Sequence, residues 1–243
     1  MILSDTLERR VRGSPGEPPM AQPMTLPPLV RGEWYPMTWE EFLKWSPDEG
    51  QSEWVDGKGI AYVSNSTLHG DRVGFLTDLL RAYVRVFKVG VVYSENILLR
   101  LPTRPSGRMP DVMVVSRDRV REKWVEGTAL FAAEFLSEDS IDRDLVEKRA
   151  EFEGAGIPEY PIIDARPGQR GFHYLRLDDA GHYQEVEPDE QGRYHSALLP
   201  GFWLNPKWFW QDPLPSVERV MMQIAPEEYW RYLTRLRDEE TGR

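Results

Sequence analysis

Apolar and polar positions alternate with two different periods along this chain, and the places where the period changes mark its elements. Thr38 and Glu41 have capping-box spacing, and Trp39, Phe42 and Leu43 supply one apolar face, so a short helix is predicted over 38–45. Ser52 to Val55 and Ile60 to Val63 are apolar runs separated by Asp56-Gly57, a hairpin signal. From His69 to Lys88 the period lengthens: Val73, Leu76, Leu80, Tyr83, Val84 and Phe87 share one helical face. Val89–Tyr93, Ile97–Leu101, Asp111–Val115, Phe131–Leu136 and Tyr160–Asp164 read as strands, and Ile141–Ala155 as a helix closed by Gly154 and Gly156. A meander follows, with strands at 172–177, 183–186 and 194–199 between Asp- and Gly-containing turns. Two helices end the chain, the first presenting Val217, Val220, Met221 and Ile224, the second Tyr229, Leu233 and Leu236, with Pro226 near its first turn.

The mixture predicts an α/β (mixed α+β) core, a central mixed sheet flanked by helices, with a C-terminal β-meander and helical extension. Six prolines between Pro15 and Pro28 mark 1–33 as a tail; the domain is expected over 34–212 and the helical extension over 213–243. At 243 residues, 40% hydrophobic, the chain can bury a sizeable core. No run of 18 apolar residues supports a membrane span, and the charged stretch Met1 to Arg12 is not that of a signal peptide. The absence of cysteine removes disulfides and thiolate metal sites and fits a cytoplasmic protein.

The net charge of −10 argues against a broad nucleic-acid-binding surface, but the distribution is uneven. Residues 100–123 hold seven basic side chains against three acids, and residues 134–164 hold ten acids against three bases. Such a juxtaposition suits phosphate handling through metal ions, although two solvated faces would look the same. Phosphate-loop, dinucleotide and serine-hydrolase motifs are absent, and the four histidines lack the H-x-x-x-H spacing of a zinc protease. Any chemistry therefore falls to carboxylates. Asp111 opens one apolar strand behind Pro110, and Glu134 lies inside another, where an acid is costly unless paired or metal-bound. Two such carboxylates can hold a hard cation, and a nearby lysine can orient water or offset charge on a phosphate. Taken singly, Asp111 could cap a turn, Glu134 could pair with an arginine, Glu53 could be a cross-strand partner, Lys148 could be a surface lysine, and His69 could cap or begin its helix.

The ordered segments Met37-Thr38-Trp39-Glu40-Glu41-Phe42, Glu53-Trp54-Val55-Asp56-Gly57, Pro110-Asp111, Glu134-Phe135-Leu136-Ser137, Asp144 to Arg149, Gly156 to Asp164 and Leu199-Pro200-Gly201-Phe202 are more specific together. In this order they resemble the Uma-two family of restriction-endonuclease-like proteins, within the PD-(D/E)XK nuclease superfamily, over about residues 36–212. The resemblance implies Asp111 and Glu134 as ligands of Mg²⁺ or Mn²⁺, with the carbonyl of Phe135 completing the shell. It implies Lys148 as the motif's migrated lysine, since the usual position holds Leu136, and Glu53 as a further acid near the site. The implied activity is DNA phosphodiester hydrolysis by a cytoplasmic endonuclease, with a homodimer expected for two-strand cutting. Where the family reads Ser-Pro-Ser, this chain reads Ser137-Glu138-Asp139-Ser140, with two added acids. A nuclease fold that binds nucleic acid without turnover, and a structural or assembly protein, are the alternatives.

Overall fold

In the computed structural model, residues 26–47, 50–62, 66–137, 140–164 and 166–241 are described. Most of the Pro-rich tail, Val63 of the predicted second hairpin strand, and Glu138 and Asp139 lie outside them. Thr38 does cap helix α1 (Trp39–Trp45): its hydroxyl accepts from the Glu41 N–H while the Glu41 carboxylate accepts from the Thr38 N–H. Asp56 and Gly57 both have positive φ, 48° and 77°, the conformation that a two-residue hairpin turn requires, and they join β2 (Ser52–Val55) to β3 (Lys58–Ala61). Helix α2 runs Thr67–Phe87 and is capped by Ser66, not by His69, whose N–H bonds to the Ser66 hydroxyl.

Among the described residues the strands form two six-stranded mixed sheets and one small pair. The first sheet contains β1 (Tyr35–Pro36), β2, β3, β5 (Leu98–Arg100), β6 (Ser106–Arg108) and β8 (Trp124–Glu126), in the order β1-β3-β2-β6-β5-β8. The second contains β4 (Val91–Ser94), β7 (Val112–Val115), β9 (Phe131–Phe135), β10 (Glu159–Asp164), β11 (Gly171–Leu177) and β12 (Tyr183–Glu185), in the order β12-β11-β10-β9-β7-β4. β9 and β10 run parallel and the other pairings of this sheet are antiparallel. The expected mixed α/β architecture is therefore present, with two sheets where one was expected. β1, β6 and β8 are too short or too polar to show a period; Gly107 in β6 lies so close under Trp39 that an added Cβ would stand 2.5 Å from the ring. The last predicted strand shrinks to β13 (Tyr194–His195), which pairs with β14 (Trp203–Leu204).

Alternation along β9 sorts the core. Phe131, Ala133 and Phe135 face α2, in a cluster with Val73, Leu76, Leu80 and Tyr83. Ala132 packs on the opposite face with Phe152, Ala155 and Tyr160, and Glu134 shares its parity. Helices α4 (Val217–Ile224) and α5 (Pro226–Thr241) contribute Val220, Met221 and Tyr229 to the α2 cluster. Trp203, Trp208 and Phe209 are buried there too.

The predicted helix 141–155 has a different interior. Residues Arg143–Lys148 form a π-helical turn before α3 (Arg149–Ala155). The wider turn brings both Asp144 and Lys148 inward, and both are buried. Such insertions are frequent at functional sites.

Candidate active site

Asp111 and Glu134 meet because of strand register. Val112 of β7 faces Ala133 of β9, so the same antiparallel ladder continued by one residue sets Asp111 beside Glu134. On the other flank, Ser94 of β4 faces Val112, and the Glu95 N–H donates to the Asp111 carbonyl at 3.1 Å. Three acids thus stand at one level at the ends of three neighbouring strands: Glu95 just after β4, Asp111 just before β7, and Glu134 in β9. The chain between Arg108 and Asp111 passes from the first sheet to the second, so the first sheet also reaches this level, through Glu53 of β2 and Arg108 of β6.

Lys148 joins the two sheets. Its Nζ lies 2.8 Å from Glu134 Oε1, 3.3 Å from Glu53 Oε1 and 3.3 Å from Asp144 Oδ1. It is buried, so the surface-lysine alternative does not hold. Burial opposes its charge, but Glu134, Glu53 and Asp144 outweigh that and push its pKa well up. Glu134 is 1% exposed. Desolvation, with Asp111 and Asp144 nearby, raises its pKa well above the ordinary value despite Lys148. Asp144 is raised by burial as well.

Asp111 is oriented by its neighbours. Its Oδ2 accepts from the Phe135 N–H at 2.7 Å and its Oδ1 from Gln51 Nε2 at 3.2 Å. His69 Nε2 stands 3.6 Å from Asp111 Oδ2 and 3.8 Å from Glu95 Oε1. Burial would raise the Asp111 pKa; contact with His69, the charge of Lys148 and the Phe135 N–H together lower it. For His69 the balance is the reverse: burial would lower its pKa, but Asp111, Glu95 and Asp144 outweigh burial and raise it. The Phe135 carbonyl points toward the same side as Asp111. The Leu136 N–H in the same peptide plane donates to Ile163 on β10, and a trans peptide directs its carbonyl the opposite way.

Beside this cluster lies a second set of charges. Arg108 is 0% exposed. It donates to Glu53 at 2.8 Å, to Glu151 at 2.9 and 2.5 Å, and to Glu147 at 3.4 Å. Arg104 continues the network to Glu151 at 2.7 Å and to Asp56. Burial would raise the Glu53 pKa, but Lys148, Arg108 and Arg143 hold it far below the usual carboxylate range. The basic stretch read in the sequence is thus divided. Arg108 and Arg104 serve internal ion pairs, while Arg117, Arg119, Arg121 and Lys123 remain exposed.

The predicted Asp111, Glu134, Lys148 and Glu53 therefore come together, with Phe135 beside them. Sequence reasoning missed Glu95, Gln51, Asp144 and Arg108; of the two roles it offered His69, capping or beginning its helix, Ser66 fills the first and His69 lies in the first turn of α2. The residues fit a divalent cation on chemical grounds. Buried Asp111, Glu134, Asp144, Glu53 and Glu151 outnumber Lys148, Arg108 and the partly buried Arg143, and the donors around Asp111 are oxygens and one imidazole nitrogen.

A family profile described as "Putative restriction endonuclease", Uma2, matches residues 39–207. The crystal structure of "a putative nuclease belonging to DUF820" from Anabaena variabilis shares the fold, with a TM-score of 0.57 over 72% of this chain and 98% of that one, at 17% identity. No curated protein matches this chain. The profile spans well over half of the sequence: the chain belongs to the Uma2 family.

Proposed function

We propose that this protein is a divalent-cation-dependent endonuclease that hydrolyses DNA phosphodiester bonds. The observation that carries the reading is the Lys148 ammonium 2.8 Å from Glu134, whose ladder neighbour is Asp111. Asp111, Glu134 and the Phe135 carbonyl would hold Mg²⁺ or Mn²⁺. Such an ion, once bound, polarises a phosphoryl oxygen and eases deprotonation of water. Lys148 positions the attacking water and offsets charge on the phosphate, since an ammonium held among three carboxylates donates hydrogen bonds and does not accept a proton. Glu53 is a positioning residue: it touches Lys148 and Arg108 and fixes the lysine between the sheets. Asp144 restrains the same amine from the π-turn.

Two-strand cutting calls for two sites, and a homodimer would supply them. Met222, Trp230, Leu233 and Leu236 are exposed on α4 and α5 and offer an apolar surface for it. Among the described residues no helix is long and apolar enough to cross a membrane. A sequence without cysteine fits the reducing cytoplasm as the place of action.

One observation favours a second reading. Asp111, Glu134 and Lys148 are all buried, so a phosphate must displace covering groups to reach them. A nuclease fold that binds nucleic acid without cutting would show the same burial. Cleavage of plasmid and single-stranded DNA with Mg²⁺ or Mn²⁺ separates the two. We expect metal-dependent cutting by the wild type and at least a ~10²-fold loss in Asp111→Ala and Lys148→Ala. Folded wild type that binds DNA yet leaves it intact would favour the binding module. Cutting that survives both substitutions would overturn the site.

A further inference from the structure

The pair of Asp111, just before β7, and Glu134 of β9 leaves His69 unexplained. Its side chain is 8% exposed, yet Nε2 has no hydrogen-bond partner. A buried polar atom without a partner is costly, and few persist without a purpose. The nitrogen is aimed at two carboxylates, 3.6 Å from Asp111 Oδ2 and 3.8 Å from Glu95 Oε1. One ligand atom from each of the three residues lies within 4.8 Å of the other two. These separations are too long for hydrogen bonds, which fall near 2.7–3.2 Å. They are close to what one cation imposes on its own ligands: bonds of about 2.1 Å at a tetrahedral angle hold donors about 3.4 Å apart.

The chain places the three residues independently. Ser66 caps α2 so that His69 falls in its first turn, and the ring packs edge-on against Phe135, with centroids 6.2 Å apart. Glu95 is held at the end of β4 by its own N–H to the Asp111 carbonyl. Asp111 is held by Phe135 and Gln51. Glu134 stands outside this triad and is engaged by Lys148.

We infer that His69, Glu95 and Asp111 form a second cation site, which shares Asp111 with the proposed Glu134 site and takes a transition-metal ion in preference to Mg²⁺. The inference deepens the nuclease reading and rests on it for the role of Asp111. The preference follows from the donor set. Mg²⁺ prefers oxygen donors and gives up its waters reluctantly, whereas imidazole suits the later first-row divalent ions. Mn²⁺ is the weakest binder of that series, so a preference seen with Mn²⁺ would be stronger with Co²⁺ or Zn²⁺.

The test uses the full chain loaded with Mn²⁺ and reads binding, not activity. Electron spin-echo spectra of bound Mn²⁺ in excess Mg²⁺ should show coupling to one imidazole ¹⁴N, and His69→Asn should remove it. Glu95→Gln should keep the coupling while weakening Mn²⁺ about tenfold or more, the scale of losing a metal-site contact. Circular dichroism of each variant checks that it folds, and the wild-type spectrum needs no variant at all. Absence of ¹⁴N coupling in the wild type would overturn the site. So would coupling that persists in His69→Asn, because it would then come from the exposed His173, His182 or His195. Glu134→Gln keeps the two proposals apart: it should abolish cutting while the ¹⁴N coupling remains. Coupling without any cutting by the wild type would leave the cation site standing and remove only the nuclease.

Discussion

Two buried glutamates touch the same lysine and behave in opposite ways. Glu53 and Glu134 are each 1% exposed, and each lies within 3.3 Å of Lys148 Nζ. Glu53 belongs to the region where cations match anions: Arg108 and Arg143 surround it, and its pKa is depressed in spite of burial. Glu134 belongs to the region where anions exceed cations: Asp111 and Asp144 are its neighbours, and its pKa is raised. The first region is complete without a ligand. The second carries unbalanced negative charge in a low-dielectric setting, which a bound cation would relieve. A few ångströms of space therefore separate charges that hold the fold from charges that are available for chemistry.

The sharpest way to break this comparison is to remove the cation of the complete region. Arg108→Met leaves Glu53 and Glu151 buried without the guanidinium that joins them. We expect a loss of about 3–5 kcal/mol, the usual cost of breaking a buried pair from one side. For a chain of this size that lowers the melting temperature by roughly 10 °C. A loss below ~1 kcal/mol by urea unfolding would mean that the network is not structural.

The opposite substitution probes the anion-rich region. Glu134→Gln removes one acid where acids are in excess, and Lys148 keeps Glu53 and Asp144. Without metal we expect the variant to be at least as stable as the wild type. With Mg²⁺ at a hundred times its dissociation constant, the wild type should gain about 2.7 kcal/mol, and the variant should lose most of that gain. Thermal melts with and without metal decide the matter. A variant as unstable as Arg108→Met would place Glu134 among the structural ion pairs and dissolve the distinction.

Much of this arrangement was legible in local sequence, and the remainder was not for a physical reason. Glu134 stood out as an acid inside an apolar run, and Asp111 as an acid entering another. Asp56-Gly57 gave the turn because only certain residues tolerate its backbone. Lys148 was found through family resemblance, since the π-turn that directs it inward breaks the 3.6-residue period from which a buried face is read. His69 and Glu95 are brought to Asp111 by strand pairing and by the packing of α2, and local period carries no register between β4 and β7. Arg108 looked like one of seven basic residues; nothing nearby announced that its partners, Glu53 and Glu151, lie 55 and 43 residues away.

Acid provides a gentler probe of the complete region. Because the folded-state pKa of Glu53 is depressed, its stabilising contribution is fully present above its ordinary value of 4.5 and is lost as pH falls toward the depressed value. The stability difference between wild type and Glu53→Gln should thus be flat from about pH 7 to about pH 5.5. It should shrink below pH 4.5, by on the order of 2 kcal/mol. Urea unfolding across this range measures it. A difference that already shrinks in the upper, near-neutral part of the range would show that Glu53 is not held by its cations.

The smallest effect is expected where the complete region meets solvent. Arg104 bonds both Asp56 and the buried Glu151, but the Asp56 side chain is 54% exposed. If burial gives the Arg108 network its weight, the same kind of pair at the rim should carry little, because water screens it and two mobile side chains must be ordered. Asp56 has φ 48°, so alanine there would strain the turn and confuse the result. Asparagine avoids that complication, since it tolerates the left-handed region about as well as aspartate does. Asp56→Asn should therefore cost no more than ~1 kcal/mol, and the cost should fall further in high salt. A loss comparable to that of Arg108→Met would mean that the network acts as one cooperative unit from core to rim, and that position within it, not burial, decides what each pair contributes.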